Sequence, residues 1–166
     1  MADVKLAYGT AVDATITLAS LATHAGRLEG RESTAIDNTT NLHLDYLISG
    51  RITTGTTPTV NTSIEVWAVA AYDNTTFPHV FAGTDTVKTI TLANIKNNIC
   101  FLVTSITVTA TSNTEYFFSG VSLASVFRGV IPPKFSLFVT QNTGPALNAT
   151  AGNHQMRIQP VFETVT

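Results

Sequence analysis

The side chains of this sequence that could do chemistry are concentrated in one short segment. Arg27, Glu29, Arg31 and Glu32 place four of the chain's nine basic and eleven acidic residues within six positions. Two carboxylates at this spacing could form a general acid–base pair. The two arginines beside them favour ordinary ion pairing instead, and guanidinium groups also bind the carboxylates of another protein in a bidentate manner.

This concentration of charge predicts a contact surface and not an active site. We expect the surface to continue into Asp37 and Asn38, just ahead of a predicted strand. The alternative is a solvated loop whose local ion pairs each contribute only about 0–1 kcal/mol. We call residues 27–38 the charged segment.

Candidate sites for a metal or a cofactor are weak elsewhere. His43 and Asp45 lie two positions apart and would share one face of a strand, but a solvated strand face is the simpler interpretation because no further ligand cluster appears. The run from Asp73 to Thr76 lacks the spaced acids of a calcium loop. There is no nucleophile elbow and no phosphate-binding loop with its lysine. We therefore expect no catalysis, no metal and no cofactor.

Four aromatic residues around one loop could form a carbohydrate platform, but burial in a core is favoured because Phe and Trp dominate buried area in β-sandwiches. They are Trp67, Tyr72, Phe77 and Phe81.

The composition predicts an all-β protein. Charged residues make up 12% of the 166 residues, against about 25% in soluble domains. Threonine supplies much of the missing polarity with 29 residues, and it fits a half-wet pleated surface. The net charge is −2, and no basic stripe indicates binding to nucleic acid. No stretch is long and apolar enough for a membrane span.

Alternating residues predict about eight short strands in a single β-sandwich of jelly-roll type. The predicted strands cover residues 12–18, 42–48, 63–72, 99–110, 115–119, 135–140 and 154–163, with a bulge or bend at Thr104 and Ser105. Only 90–96 and 121–127 are predicted to hold helical turns. The expected core is Val12, Ile16, Leu18, Leu44, Tyr46, Ile64, Val66, Phe101, Val103, Phe135, Leu137 and Val139.

The sequence predicts one domain over residues 11–166 and an N-terminal arm over residues 1–10. Cys100, the single cysteine, lies in an apolar run and is expected to be a buried, inert thiol. The first residues lack the pattern of a cleaved signal peptide, so we expect synthesis in a cytoplasm without export of that kind.

Two stretches of the chain resemble small virion proteins of tailed bacteriophages. They are GRESTAIDNTTNLHLDYLISGRI, which begins at Gly30, and FRGVIPPKFSLFVTQNTGPAL, over residues 127–147, followed by Ala151 to His154. The resemblance is to capsid decoration, or cement, proteins of jelly-roll type. It implies a structural protein on the outside of the capsid, made in the host bacterial cytoplasm.

The resemblance also implies the partners. These are the major capsid protein and further copies of the chain, as a dimer or trimer. The charged segment would then contact either the capsid or a sister subunit. The alternative is a receptor- or glycan-binding module of a head fibre or tail, and a glycan hydrolase is disfavoured because no carboxylate pair is recognisable.

Overall fold

The structure, a computed structural model, describes residues 3–165 and confirms an all-β sandwich of two antiparallel sheets. The strands are β1 (Val4–Tyr8), β2 (Val12–Asp13), β3 (Glu29–Glu32), β4 (Ile36–Asp37), β5 (Asp45–Thr53), β6 (Thr62–Ala70), β7 (Val87–Thr89), β8 (Cys100–Val108), β9 (Glu115–Ser122), β10 (Lys134–Gln141) and β11 (Gln155–Val165). Two short helices are α1 (Ala93–Ile99) and α2 (Leu123–Val126).

Each sheet combines strands that are distant in the sequence. Sheet A has the order β1-β11-β5-β9, with β2 also pairing with β11. Sheet B has the order β7-β3-β10-β6-β8, with β4 also pairing with β10. Successive long strands therefore cross between the sheets repeatedly, and the first strand lies beside the last.

The main core lies between the two sheets, and eight of the twelve predicted core residues are buried there. These are Leu18, Tyr46, Ile64, Val66, Val103, Phe135, Leu137 and Val139. Ile16 packs against this core from a half-buried position.

Three of the core predictions were wrong. Val12 is 50% exposed and Leu44 is 47% exposed, because each lies where the chain enters a strand at the margin of sheet A. Phe101 is half-buried at the edge of sheet B, where its ring packs edge-on against Phe127. The alternating pattern places a residue on a face of a sheet, but it does not say whether the other sheet covers that point.

A second apolar cluster lies on the outer side of sheet B. Residues 71–99, which we call the strap, leave β6, cross this face and return through α1 to β8. Phe77, Phe81 and Ile90 of the strap are buried against Val69 and Phe138 of the sheet. The strap therefore covers the outer face of sheet B.

Several local predictions were confirmed or need correction. The predicted bulge is present, since the β6–β8 register shifts between Val66 and Trp67, opposite residues 102–104. The predicted helical turns lie close to α1 and α2. Only Val12–Asp13 of the predicted strand 12–18 is a strand, whereas most of the expected N-terminal arm forms β1. Residues 1 and 2 of that arm, and residue 166, lie outside the described residues.

Cys100 is buried, as predicted, and burial raises the pKa of its thiol to about 12. Over residues 3–165, we find no helix long and apolar enough to cross a membrane.

Candidate interaction surface

Half of the charged segment forms two short paired strands, β3 and β4. Residues 29–32 form β3, which lies between β10 and β7 in sheet B. Close packing explains Gly30, since a Cβ there would lie 2.2 Å from the Val139 carbonyl oxygen. The charges on either side of this glycine are consequently held against neighbouring strands and the strap.

Arg27 belongs to a compact ionic cluster on the outer face of sheet B. Its Nε lies 2.8 Å from Glu65 Oε1, and Lys96 Nζ lies 3.1 Å from Glu65 Oε2. Trp67 Nε1 donates a hydrogen bond to the same carboxylate, and the Lys96 ammonium lies 4.5 Å from the centroid of the Trp67 ring. Because Lys96 is on α1, this cluster fastens the end of the strap to the sheet.

Arg31 pairs with the middle of the strap. Its Nε lies 2.5 Å from Asp85 Oδ1, and its Nη2 donates to the Asp85 carbonyl oxygen. Thr17 donates both its backbone N–H and its hydroxyl to the Asp85 carboxylate. Burial alone would raise the pKa of Asp85, but the hydrogen bonds from Arg31 and Thr17 outweigh it and the pKa is lowered.

Glu32 is fully buried, and its carboxylate has several hydrogen-bond partners and one ion-pair partner. Its carboxylate accepts hydrogen bonds from the backbone N–H groups of Ala82 and Gly83 and from the Ser136 hydroxyl. Lys88 Nζ lies 3.3 Å from Glu32 Oε2 and balances the charge. A buried carboxylate is tolerated only with such partners. Glu32 therefore connects the strap to β3 of sheet B.

The C-terminal part of the charged segment has local partners. Asp37 accepts hydrogen bonds from the hydroxyl and N–H of Thr39 and pairs with Lys134 at 3.0 Å, and these interactions lower the pKa of Asp37 to about 2. Asn38 is buried, where it bridges the backbone of His43 and accepts from the Tyr46 hydroxyl. Burial raises the pKa of Tyr46 to about 12.

Most of the predicted contact residues thus bind other parts of their own chain. Glu32 and Asn38 are buried, and Arg27, Arg31 and Asp37 form ion pairs within the chain. Glu29 is half-buried and accepts from the Thr89 hydroxyl. A role for this segment in binding another subunit stays a prediction.

The other candidates from the sequence do not converge on a site. Asp45 accepts from the backbone N–H groups of Tyr46 and Ala124, while the His43 ring packs against Tyr46 and Phe162. Within residues 3–165, no group of three or more His, Cys, Asp or Glu side chains is placed to hold a metal ion.

The loop aromatics are divided between the strap core and the surface. Phe77 and Phe81 of the strap are buried against sheet B and Trp67 is half-buried, as the core interpretation predicted. Tyr72 is the exception, because 74% of it is exposed.

The outer face of sheet A carries a polar and aromatic surface that sequence reasoning missed. Arg51 is opposite Phe117 on one side and Gln155 on the other, so their side chains share this face. With Ser49 and Arg157 they line a shallow depression of about 330 Å³. Phe117 itself is 67% exposed. We call this surface the sheet A face.

The polar side chains of the sheet A face have partners on β2, on β9 and in the turn before β11. Arg157 Nε lies 3.3 Å from Asp13 Oδ1, and Gln155 Nε2 donates to the same oxygen. Arg51 Nη1 lies 3.4 Å from Glu115 Oε1 and its Nη2 donates to the Gly152 carbonyl oxygen. These contacts restrict the orientations of the arginine and glutamine side chains, and such restriction lowers the entropic cost of binding.

A signal for this face was present in the sequence. Gln155, Arg157 and Gln159 alternate with Met156 and Ile158, the pattern of a strand with one wet face. The isolated charges did not stand out beside the cluster at residues 27–32. Only the register brings Arg51 and Phe117 next to β11.

No family model, curated protein or solved structure shows significant similarity to this chain. The resemblance to phage decoration proteins therefore depends on the two quoted stretches alone.

Proposed function

We propose that this chain is a structural virion protein that binds the outside of a phage capsid and stabilises it. Its partners in this role are the major capsid protein and further copies of itself. The chain has no catalytic role in this proposal, and its activity is binding through an ordered β-sandwich.

The strand order supports the proposal at the level of the fold. When β1 with β2 counts as the first strand, β3 with β4 as the second, and the short β7 is left out, the sheets have the orders 1-8-3-6 and 2-7-4-5. From these two strand orders we infer that the sandwich is a jelly roll, an architecture of viral capsid and lectin domains. It agrees with the architecture implied by the resemblance.

The observation that carries the proposal is the contrast between the two outer sheet faces. The chain covers the outer face of sheet B with its own strap, but it leaves the sheet A face open. That open face presents an exposed aromatic ring, Phe117, among arginine and glutamine side chains. Aromatic residues and arginine are the types enriched in protein interfaces.

The physical demands of a decoration protein fit such a surface. A capsid offers many equivalent sites, and contacts with neighbouring subunits and copies add up to strong reinforcement even when each contact is modest. A broad sheet face with few net charges suits a wet, hydrogen-bonded interface.

The depression beside Phe117 favours one alternative, a receptor- or glycan-binding module. A sugar ring could stack on Phe117 while Arg51, Gln155 and Arg157 hydrogen-bond its hydroxyl groups. Both functions use the sheet A face, and they differ in the partner.

Binding to particles that lack this protein tests the proposal. Purified wild-type protein should decorate undecorated capsids to a saturating number of copies, measured by quantitative gel densitometry and located by electron cryomicroscopy. Phe117→Ala should weaken the affinity for the particle by about tenfold or more. This is the change expected for an interface anchor that contributes over about 1.4 kcal/mol to the binding free energy.

Tyr72→Ala is the matched control, because Tyr72 is an aromatic residue of similar exposure that lies on the strap. It should leave occupancy unchanged. Wild-type protein that fails to bind particles but binds glycans on an array, with Phe117→Ala abolishing that binding, would establish the alternative.

A further inference from the structure

The strand β1 is an uncovered edge of sheet A. Within residues 3–165 it pairs with β11 on one side and ends the sheet on the other. Val4, Leu6 and Tyr8 are each 63% exposed, and Val165, opposite Val4, is 68% exposed. A flat edge strand with apolar side chains is a template for pairing with another strand.

The hydrogen-bonding groups on this open edge can be identified from the register. Gly9 N–H donates to the Pro160 carbonyl oxygen, which continues the β1–β11 register by one pair. Hydrogen-bonded pairs alternate with non-hydrogen-bonded pairs along an antiparallel ladder. The backbone N–H and C=O groups of Ala7 and Lys5 therefore also point toward β11. The N–H and C=O groups of Val4, Leu6 and Tyr8 therefore point away from β11, toward solvent.

We infer that two copies of the chain associate by antiparallel pairing of their β1 strands about a two-fold axis at Leu6. In this register Leu6 lies opposite Leu6 of the second copy, and Val4 lies opposite its Tyr8. Each of these pairs exchanges two hydrogen bonds, because all three residues present both groups to the edge. The two sheets A become one continuous sheet across the dimer.

The side chains are compatible with this self-pairing. The exposed faces of Val4, Leu6 and Tyr8 form one apolar stripe that runs across both copies, and aromatic–aliphatic cross-strand pairs are favourable. Lys5 would lie opposite Ala7 of the second copy, so the lysine that ordinarily blunts an edge strand meets no like charge directly. Asp3 would lie opposite Gly9.

This inference rests on the proposed function only for the expectation of a homo-oligomer. The pairing itself follows from the backbone and can be measured on isolated protein without any capsid. Its failure is therefore distinguishable from failure to decorate particles.

Disulfide trapping tests the register directly. The Cα atoms of an antiparallel hydrogen-bonded pair are about 5.5 Å apart, within the range that a disulfide spans. The variant Leu6→Cys should form a covalent dimer rapidly under mild oxidation, seen on non-reducing gels. Wild-type protein gives the background, which is low because Cys100 is buried.

The matched control is Leu102→Cys. Leu102 is 47% exposed and lies on β8, the edge strand of sheet B. This variant should cross-link slowly, as a random collision product. Equal rates for the two variants would overturn the inference, because pairing would then not select β1.

Sedimentation equilibrium gives an independent measurement. Wild-type protein should show a concentration-dependent monomer–dimer equilibrium, and Leu6→Lys should weaken it by about tenfold or more because two ammonium groups would meet at the axis. Leu102→Lys should leave it unchanged. A strictly monomeric wild type, or a trimer unaffected by Leu6→Lys, would overturn the proposal. Loss of particle binding by Leu6→Lys in a monomeric protein would instead assign the edge to the capsid protein.

Discussion

Glu32 shows how one buried charge connects three distant parts of the chain. Its carboxylate receives hydrogen bonds from the strap at Ala82 and Gly83 and from Ser136 on β10, and it faces Lys88 on β7. Removing one partner of a buried pair is costly because the remaining charge stays desolvated. The residue therefore has a structural role that its sequence neighbours, all polar, do not suggest.

We predict that Glu32→Gln lowers the free energy of unfolding by about 3–5 kcal/mol. The variant amide keeps the shape of the side chain but loses the charge opposite Lys88, and its NH₂ cannot accept from the strap N–H groups. Urea denaturation monitored by Trp67 fluorescence measures the change. Glu163→Gln, at an exposed position of β11, is the control and should differ from wild type by less than about 0.5 kcal/mol. A small change at Glu32 would show that the carboxylate network contributes little.

The elements differ in how far the sequence predicts them. The bounds of β6, β8, β10 and β11 agree with the predicted strands to within two residues, because apolar residues recur at strand spacing along them. The agreement is poorer for β5, which begins three residues and ends five residues after the predicted strand 42–48. The strand β3 was missed because its sequence, EGRE, carries charges where a strand is usually apolar, and those charges are satisfied by partners 50 or more positions away in the sequence. Such partners cannot be identified from local sequence.

The candidate site was less predictable than the fold for a related reason. The sequence showed where charge is dense, but density did not distinguish charges that bind the chain itself from charges left available. The sheet A face depends on the register that aligns β9, β5 and β11, which no single segment encodes.

The strap is the element whose stability should depend on pH. The lowered pKa of Asp85 means that the folded chain stabilises the ionised carboxylate of Asp85 relative to its protonated form. The resulting stabilisation is present above the ordinary pKa of about 3.8 and is lost as the pH falls through the lower, folded-state pKa.

We predict that Asp85→Asn weakens the strap at neutral pH by about 1–3 kcal/mol, as expected for loss of hydrogen bonds to a charged group. The difference between variant and wild type in the free energy of strap opening should become smaller as the pH falls below about 4. Hydrogen exchange of amides in residues 77–90 measures local opening. Asp13→Asn, which removes the exposed pair with Arg157, should change strap exchange little. If this difference in opening free energy stays constant with pH, the Asp85 charge does not stabilise the strap.

On the scale of the whole molecule, the two outer faces differ in what covers them. The strap fills one side with a second apolar cluster, while the other side keeps a polar, aromatic and solvent-exposed sheet with a pairing edge at β1. A decorated capsid on this scheme carries the chain with sheet A toward the shell and the strap toward solvent. Dimers joined at β1 would extend the contact across neighbouring capsid subunits and add avidity.

The accessibility of engineered thiols on decorated particles tests this orientation. Ser119→Cys places a thiol beside the depression of the sheet A face, and Asn74→Cys places one on the exposed turn of the strap. Maleimide labelling of Ser119→Cys should be strongly slowed once the protein is bound to the particle, whereas labelling of Asn74→Cys should keep its free-protein rate.

Wild-type protein is the control, because burial raises the pKa of the Cys100 thiol to about 12 and leaves almost no reactive thiolate. Protection of Asn74→Cys with free labelling of Ser119→Cys would reverse the orientation. Equal rates for both variants on and off the particle would place the contact on neither face.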